Sequence, residues 1–190
     1  MIEDQPAPAT NTCDFAEAQL VEQNRQDPKD FSSLYQRYVE PVFYYLFSRV
    51  GNAQEAEDLT AQTFLTAFET FHQLRDETRF APWLFTIARN KAMDYFRHNH
   101  HQMVSLDQED LPSQESDLLS NVIQSEKSRH LSQLIHKLSE EEQELLRLRY
   151  LAEMGFPEIA LLLHKKEGTV KKSLYRLLER LHRQMEMKND

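Results

Sequence analysis

Between Phe80 and Arg97, Arg89, Asn90, Asp94 and Arg97 alternate with Trp83, Tyr95 and Phe96, so a single helix would carry aromatic rings beside guanidinium groups. Stacking on aromatic faces and capture of phosphates by arginine are the interactions that hold unpaired DNA. In the same stretch Trp83, Leu84, Ile87, Ala88, the Lys91 stem and Tyr95 fall at helical spacing. They predict a buried stripe, which leaves Arg89, Asn90, Asp94 and Arg97 for the opposite face. A second candidate surface lies near the C-terminus. Val170, Leu174, Leu177, Leu181 and Met185 form an apolar stripe there, with Thr169, Lys172, Arg176, Arg180 and Arg183 opposite it. A helix fits the major groove and its first turns meet base edges, so a basic face of this kind suits duplex DNA. The competing explanation is that the aromatics only fill a core and the cations only face solvent.

Other chemistry finds little support. His98 and His101 lie three residues apart in Arg97-His98-Asn99-His100-His101, but no cysteine or carboxylate cluster accompanies them. Solvated histidines are therefore expected and no metal site. There is no Gly-rich phosphate loop and no nucleophile constellation, so neither an enzyme nor a cofactor is expected. Glu140-Glu141-Glu142 follows Ser139 in a capping-box pattern and suits the positive end of a helix better than acid–base work. Cys13 is the single cysteine and can form no internal disulfide.

Net charge is −9, yet it is unevenly placed. Met1 to Asp30 carries −5 and Gln102 to Arg129 carries −4, whereas His164 to Lys188 carries +5. A basic helix on an acidic protein is a directed patch and not a general polyanion binder. No apolar run approaches the ~18 residues of a membrane span, and the N-terminus lacks a basic-then-apolar signal, so a soluble cytoplasmic protein is expected.

The elements that must position these residues read as helices throughout. Residues 1–30 are a polar, acidic extension expected to be disordered, apart from a short helix around Phe15 to Gln23. A helix from Phe31 to Val50 buries Leu34, Tyr38, Val42, Tyr45 and Leu46, and Pro41 is expected to kink or divide it. Gly51 caps it, and Asn52-Ala53-Gln54-Glu55 opens a helix to about Phe71 with Ala56, Leu59, Thr63, Phe64, Ala67, Phe68 and Phe71 inward. The helix from Phe80 to about His98 completes a bundle over residues 31–101. Residues 102–117, acidic and containing Pro112, form a linker. From Leu118 the helical period returns through Ile123, Leu131, Leu134, Ile135 and Leu138, then from Ser139 to about Leu151. A short helix containing Pro157 and Ala160, a turn, and a basic helix from about Gly168 to Met187 read as a helix-turn-helix within residues 118–190.

With these elements in place, Asp58-Leu59, Thr63-Phe64-Leu65, Phe80, Trp83-Leu84, Ile87-Ala88-Arg89-Asn90, Asp94-Tyr95 and Arg97 resemble region 2 of the bacterial extracytoplasmic-function (ECF) sigma factors. Glu158-Ile159-Ala160 and Gly168-Thr169-Val170-Lys171 resemble region 4 of the same family, in the right order, with a linker between. The resemblance implies an all-α protein of two small helical domains that binds core RNA polymerase and directs promoter recognition and strand opening. It implies docking on the clamp helices of the largest polymerase subunit through Asp58, Leu59, Gln62, Thr63 and Thr66. It assigns the minus-ten element to Trp83, Arg89, Asn90, Asp94, Tyr95, Arg97 and His98. The minus-thirty-five element falls to Lys165, Lys166, Thr169, Lys171, Lys172, Tyr175, Arg176 and Arg180. An anti-sigma factor is a further partner that many members have.

Two departures from the family pattern carry physical consequences. Ala61-Gln62 stands where a Gln-Glu pair is usual, which removes a charge from the polymerase-facing surface. The helix-turn-helix turn reads His164-Lys165-Lys166 where Gly, an aliphatic residue and Ser or Thr are usual, so a positive-φ position falls to a non-glycine residue at a cost on the order of 1 kcal/mol. The alternative function is a polymerase-binding or stand-alone helix-turn-helix regulator without promoter-opening activity. A stand-alone regulator would leave the aromatic-rich first bundle without a purpose.

Overall fold

The structure, a computed structural model, describes residues 31–74, 76, 79–103 and 126–186. The expected N-terminal extension, the linker over 104–117 and the helical start at Leu118 to Ile123 lie outside the described residues. Every regular element among the described residues is helical. The first bundle consists of α1 (Phe31–Val50), α2 (Ala53–Thr70) and α3 (Phe80–Met103). The second consists of α4 (Glu126–His136), α5 (Glu140–Leu146) with a π turn over Arg147–Leu151, α6 (Phe156–Leu163) and α7 (Glu167–Glu186).

Local chemistry sets most of the boundaries. Gly51 takes φ 73° and its N–H reaches the Phe47 carbonyl at 2.9 Å, closing α1. Asn52 then caps α2 by accepting from the Glu55 N–H at 3.1 Å. Ser139 and Glu142 form the reciprocal capping box at the head of α5. In the first turn of α6 the Glu158 carboxylate accepts from the Gly155 N–H at 2.6 Å, and Pro157 sits where a missing N–H costs nothing.

Several expectations need correction. Pro41 does not divide α1, which continues through it to Val50 because packing on both sides of the proline holds the turn. The helix expected to end near His98 continues to Met103, into the expected linker. The helix after Ser139 does not keep α geometry to Leu151. From Arg147 its ladder widens, the Ala152 N–H bonding five residues back to the Arg147 carbonyl at 2.9 Å. Phe85, absent from the expected stripe of α3, is fully buried and meets Tyr45 edge-on at 5.4 Å between centroids. Phe68, expected inside, is 52% exposed with its ring against Phe31.

The core is continuous across the two bundles. Tyr45, Leu84, Phe85 and Ala88 of the first belong to one buried cluster with Leu148, Met154, Ile159 and Leu162 of the second. A smaller cluster of Leu134, Leu177 and Leu181 seals α4 against α7. The α7 stripe is as expected, with Val170, Leu174, Leu177 and Leu181 buried and Met185 half-buried. Two ion pairs tie α5 to the helix-turn-helix, Glu141 with Lys165 at 2.9 Å and Glu142 with Arg180 at 2.7 Å. The Lys165 hydrogen bond and charge hold the Glu141 carboxyl below its ordinary range. Burial opposes ionisation of Glu142, but hydrogen bonds from Arg180 and Ser139 prevail and lower it as well.

Two outcomes follow from this geometry. Both carboxylates titrate lower in the folded state than in the unfolded one, so their contribution is present above the unfolded value and is lost as pH falls through the folded one. Thermal melts should lose this component only below about pH 4, and Glu142→Gln should flatten that acid limb. His164 caps α6 at φ 53° and ψ 38°, with the Lys165 N–H on the Ala160 carbonyl at 2.9 Å. The left-handed region costs an L side chain about 1–2 kcal/mol, partly regained by histidine's tolerance of it. His164→Gly should therefore raise stability by about 1 kcal/mol in urea melts.

Candidate nucleic-acid interface

On α2 the residues expected to face polymerase divide by exposure. Asp58 and Gln62 are exposed and Thr66 is half-buried. Leu59 and Thr63 are buried instead, both side chains packing into the bundle, and the Thr63 hydroxyl donates to the Leu59 carbonyl at 2.7 Å. Leu65, which the sequence reading did not select, is 59% exposed and follows Asp58 and Gln62 at helical spacing. Asp58, Gln62 and Leu65 thus make a mixed polar and apolar strip.

On α3 the minus-ten candidates separate along the helix. Asp94, Arg97 and His98 are exposed in its second half, with Asp94 and Arg97 paired at 3.3 Å. Tyr95 is half-buried, its ring edge-on to Phe96 at 5.4 Å. In the first half Trp83 and Arg89 are half-buried while Asn90 is exposed. Trp83 leans on Phe80 and Phe71, at 5.8 and 6.4 Å between centroids. Trp83, Arg89 and Asn90 line a cavity of about 580 Å³ whose other wall is Leu161, Leu162 and His164 of the helix-turn-helix. The second bundle therefore borders the first half of α3 across this open cavity.

The C-terminal surface is open. Thr169, Lys171, Lys172, Tyr175, Arg176 and Arg180 are all exposed on α7, and Lys165 and Lys166 are exposed in the preceding turn. Lys171 lies over the rings of Phe156 and Tyr175, at 5.9 and 6.0 Å, which holds its stem against α6. Lys165 and Arg180 share their charge with Glu141 and Glu142. The cations of this face outside those two pairs are Lys166, Lys171, Lys172 and Arg176.

Sequence reasoning missed one group entirely. Glu144 of α5 is 5% exposed, and one of its carboxylate oxygens accepts from the Tyr45 hydroxyl at 2.8 Å, across 99 residues of chain. Arg49 approaches the other oxygen at 3.3 Å and donates to the Tyr45 oxygen at 2.9 Å. Arg147 and Arg89 close the ring at 3.7 and 3.8 Å from the same carboxylate. Glu140 accepts from both Arg49 and Arg147 at 3.0 Å. Burial first, and the neighbouring Glu144 charge second, push the Tyr45 phenol far above its ordinary range, so it stays a donor. Tyr45 with Arg49, and Glu140 with Glu144 and Arg147, do lie one or two helical turns apart in sequence. Nothing in either segment indicates that it meets the other.

Comparison with known proteins places these elements in a family. Residues 34–102 match the Sigma-70 region 2 family and residues 128–181 the Sigma-70, region 4 family. The chain is 33% identical over 183 residues to the ECF RNA polymerase sigma factor BldN of Streptomyces coelicolor, covering 93% of this chain and 68% of that protein. It is 31% identical over 153 residues to the ECF RNA polymerase sigma factor SigM of Bacillus subtilis, covering 78% of this chain and 90% of that protein. In fold it resembles CnrH, solved in complex with the cytosolic domain of CnrY, with a TM-score of 0.65 at 20% identity over 90% of this chain and 98% of that one. The sigma factor RpoE, solved with the anti-sigma factor NepR from Bartonella quintana, superposes with a TM-score of 0.60 at 20% identity, over 82% of this chain and 96% of that one. The matched ranges fall on the two helical bundles, and the chain belongs to the ECF subfamily of the bacterial sigma-70 family of RNA polymerase sigma factors.

Proposed function

We propose that the chain acts in the cytoplasm as a non-catalytic initiation subunit whose residues 31–101 bind polymerase and the minus-ten element and whose residues 118–190 bind the minus-thirty-five element, joined by the linker over 102–117. Asp58, Gln62, Thr66 and the adjoining Leu65 dock on core polymerase, a strip in which apolar contact complements two polar groups. Arg89, Asn90, Asp94, Tyr95, Arg97 and His98, with Trp83, engage the minus-ten element as its strands part. Extruding a base costs a few kcal/mol, which polar contacts and ring stacking must return. Thr169, Lys172, Arg176 and their neighbours read the minus-thirty-five duplex, with phosphate contacts fixing register and base-edge contacts fixing sequence. No bond is made or broken by this chain, and no cofactor enters. An anti-sigma factor remains a candidate partner.

The observation that carries the proposal is the α7 face. Its cations sit opposite a buried stripe, and α5 pairs with Arg180 on the helix and with Lys165 in the turn before it, so a rigid basic surface is presented outward. The alternative of a regulator acting without polymerase is not favoured, since it gives the α2 strip no role.

In vitro transcription with core RNA polymerase on fragmented genomic DNA should yield discrete new starts sharing two upstream elements. Binding to core without new starts would reduce the chain to a modulator. Arg176→Ala should weaken minus-thirty-five duplex binding about tenfold at moderate salt and lower the slope of log affinity against log salt by about 1, with the melting temperature unchanged. Asp58→Ala combined with Gln62→Ala should weaken capture by core polymerase and leave duplex binding intact in a filter or anisotropy assay.

A further inference from the structure

The cations of the proposed minus-thirty-five surface fall into two kinds. Toward α6, the Lys171 ammonium lies over the Phe156 and Tyr175 rings and pairs with no carboxylate among the described residues. Toward α5, Lys165 and Arg180 each meet a carboxylate, Glu141 at 2.9 Å and Glu142 at 2.7 Å. These four groups and Arg176 line a groove of about 370 Å³ between α5 and α7. Glu142 is fixed in place there. One of its oxygens accepts from Arg180 and the other from the Ser139 N–H at 3.1 Å, so the capping box of α5 holds the carboxylate beside the groove. Glu141 precedes it in the first turn of α5, at the end of the helix dipole that favours an anion. A phosphate that reaches Lys165 or Arg180 therefore meets a carboxylate at the same group, and the pair it meets is close to neutral.

We propose that Glu141 and Glu142 withhold Lys165 and Arg180 from the DNA backbone, lowering the affinity of the free chain for duplex of any sequence. The inference rests on the reading of α7 as the duplex-binding face and concerns how strongly that face holds DNA. Six cations stand on it, Lys165, Lys166, Lys171, Lys172, Arg176 and Arg180, and the two pairs leave four for phosphates. Neutralising phosphates supplies essentially all of non-specific binding, so each cation withheld lowers that background while base-edge contacts are untouched. A genome offers roughly 10⁶–10⁹ competing non-specific sites, and a weak phosphate term keeps the free chain from being absorbed by them. Exposed ion pairs contribute little to stability. The carboxylates therefore act on binding more than on the fold.

The test is fluorescence anisotropy of the full-length chain on a labelled duplex of random sequence, over a series of salt concentrations. Glu142→Gln should raise affinity at least about fivefold and steepen the slope of log affinity against log salt by about 1, with the helical circular dichroism unchanged. Glu141→Gln should act likewise through Lys165, and the double variant should steepen the slope by about 2. Glu40→Gln makes the same change in net charge from an exposed position on α1 and should leave the slope as it is. Arg180→Ala should cost at least about threefold more affinity in the Glu142→Gln background than in the native one, because only there is the guanidinium free for a phosphate. A double variant with an unchanged slope would overturn the inference, as would Glu40→Gln steepening it equally. A loss of affinity in the double variant would also overturn it, making the carboxylates supports that orient the cations for DNA. Selection of the native chain against a randomised duplex pool tests the underlying reading separately. No enriched sequence would sink sequence recognition by α7 and leave the withholding to the salt slopes, whereas an enriched sequence with unchanged slopes would sink the withholding alone.

Discussion

A carboxylate removed from water is the constraint on which the arrangement of this protein turns. Taking an ion out of water costs several kcal/mol even after relaxation, and the cost is recovered only where the geometry supplies several partners at once. Glu144 has such a setting, with a hydroxyl at 2.8 Å and guanidiniums at 3.3, 3.7 and 3.8 Å. Three of those four groups come from α1 and α3, so the carboxylate can be buried only in one relation between the bundles. Tyr45 is the pivot. Its hydroxyl donates to Glu144, its oxygen accepts from Arg49 and its ring packs on Phe85. The same residue therefore belongs to the apolar core of the first bundle and to the polar seam with the second.

That seam explains which parts of the protein were legible in its sequence. The α7 stripe from Val170 to Met185, the caps at Gly51, Asn52 and Ser139, and the inward residues of α1 all follow from spacing within a single helix. Pro41 was misleading because the propensity of one residue is a weak term beside burial of the residues around it, from Tyr38 and Val42 to Tyr45. Phe85 falls outside the single stripe that periodicity gives α3, because that helix shares its core with both bundles. Glu140 to Glu144 read as the acidic start of a helix, and they are that. Their second role, pairing with Arg49, Lys165 and Arg180, depends on partners 24 to 95 residues away that periodicity does not encode.

The candidate site was legible to a lesser depth than the fold. Family resemblance selects Asp58, Leu59, Gln62, Thr63 and Thr66 as a group, but only the packing separates those that face outward from those that hold the helix in place. Leu65 illustrates the converse. An exposed leucine carries no signal in a sequence, and it gains significance only when Asp58 and Gln62 are found beside it on the same face. On α3 the division runs along the helix instead of around it, since Trp83 lines a cavity shared with the second bundle and Arg89 lies 3.8 Å from Glu144, while Asp94 and Arg97 pair with each other.

The seam is apolar as well as ionic. Tyr45, Leu84, Phe85 and Ala88 share one buried cluster with Leu148, Met154, Ile159 and Leu162, and burial of that kind stabilises by about 25 cal/mol for each Å² with little dependence on the exact register of the two faces. In a buried ion cluster, attraction and desolvation are both large and nearly cancel, so the net free energy is small while the geometric demand is strict. The apolar contact therefore supplies the stability of the seam, and Glu144 with its guanidiniums selects the geometry in which that contact is made.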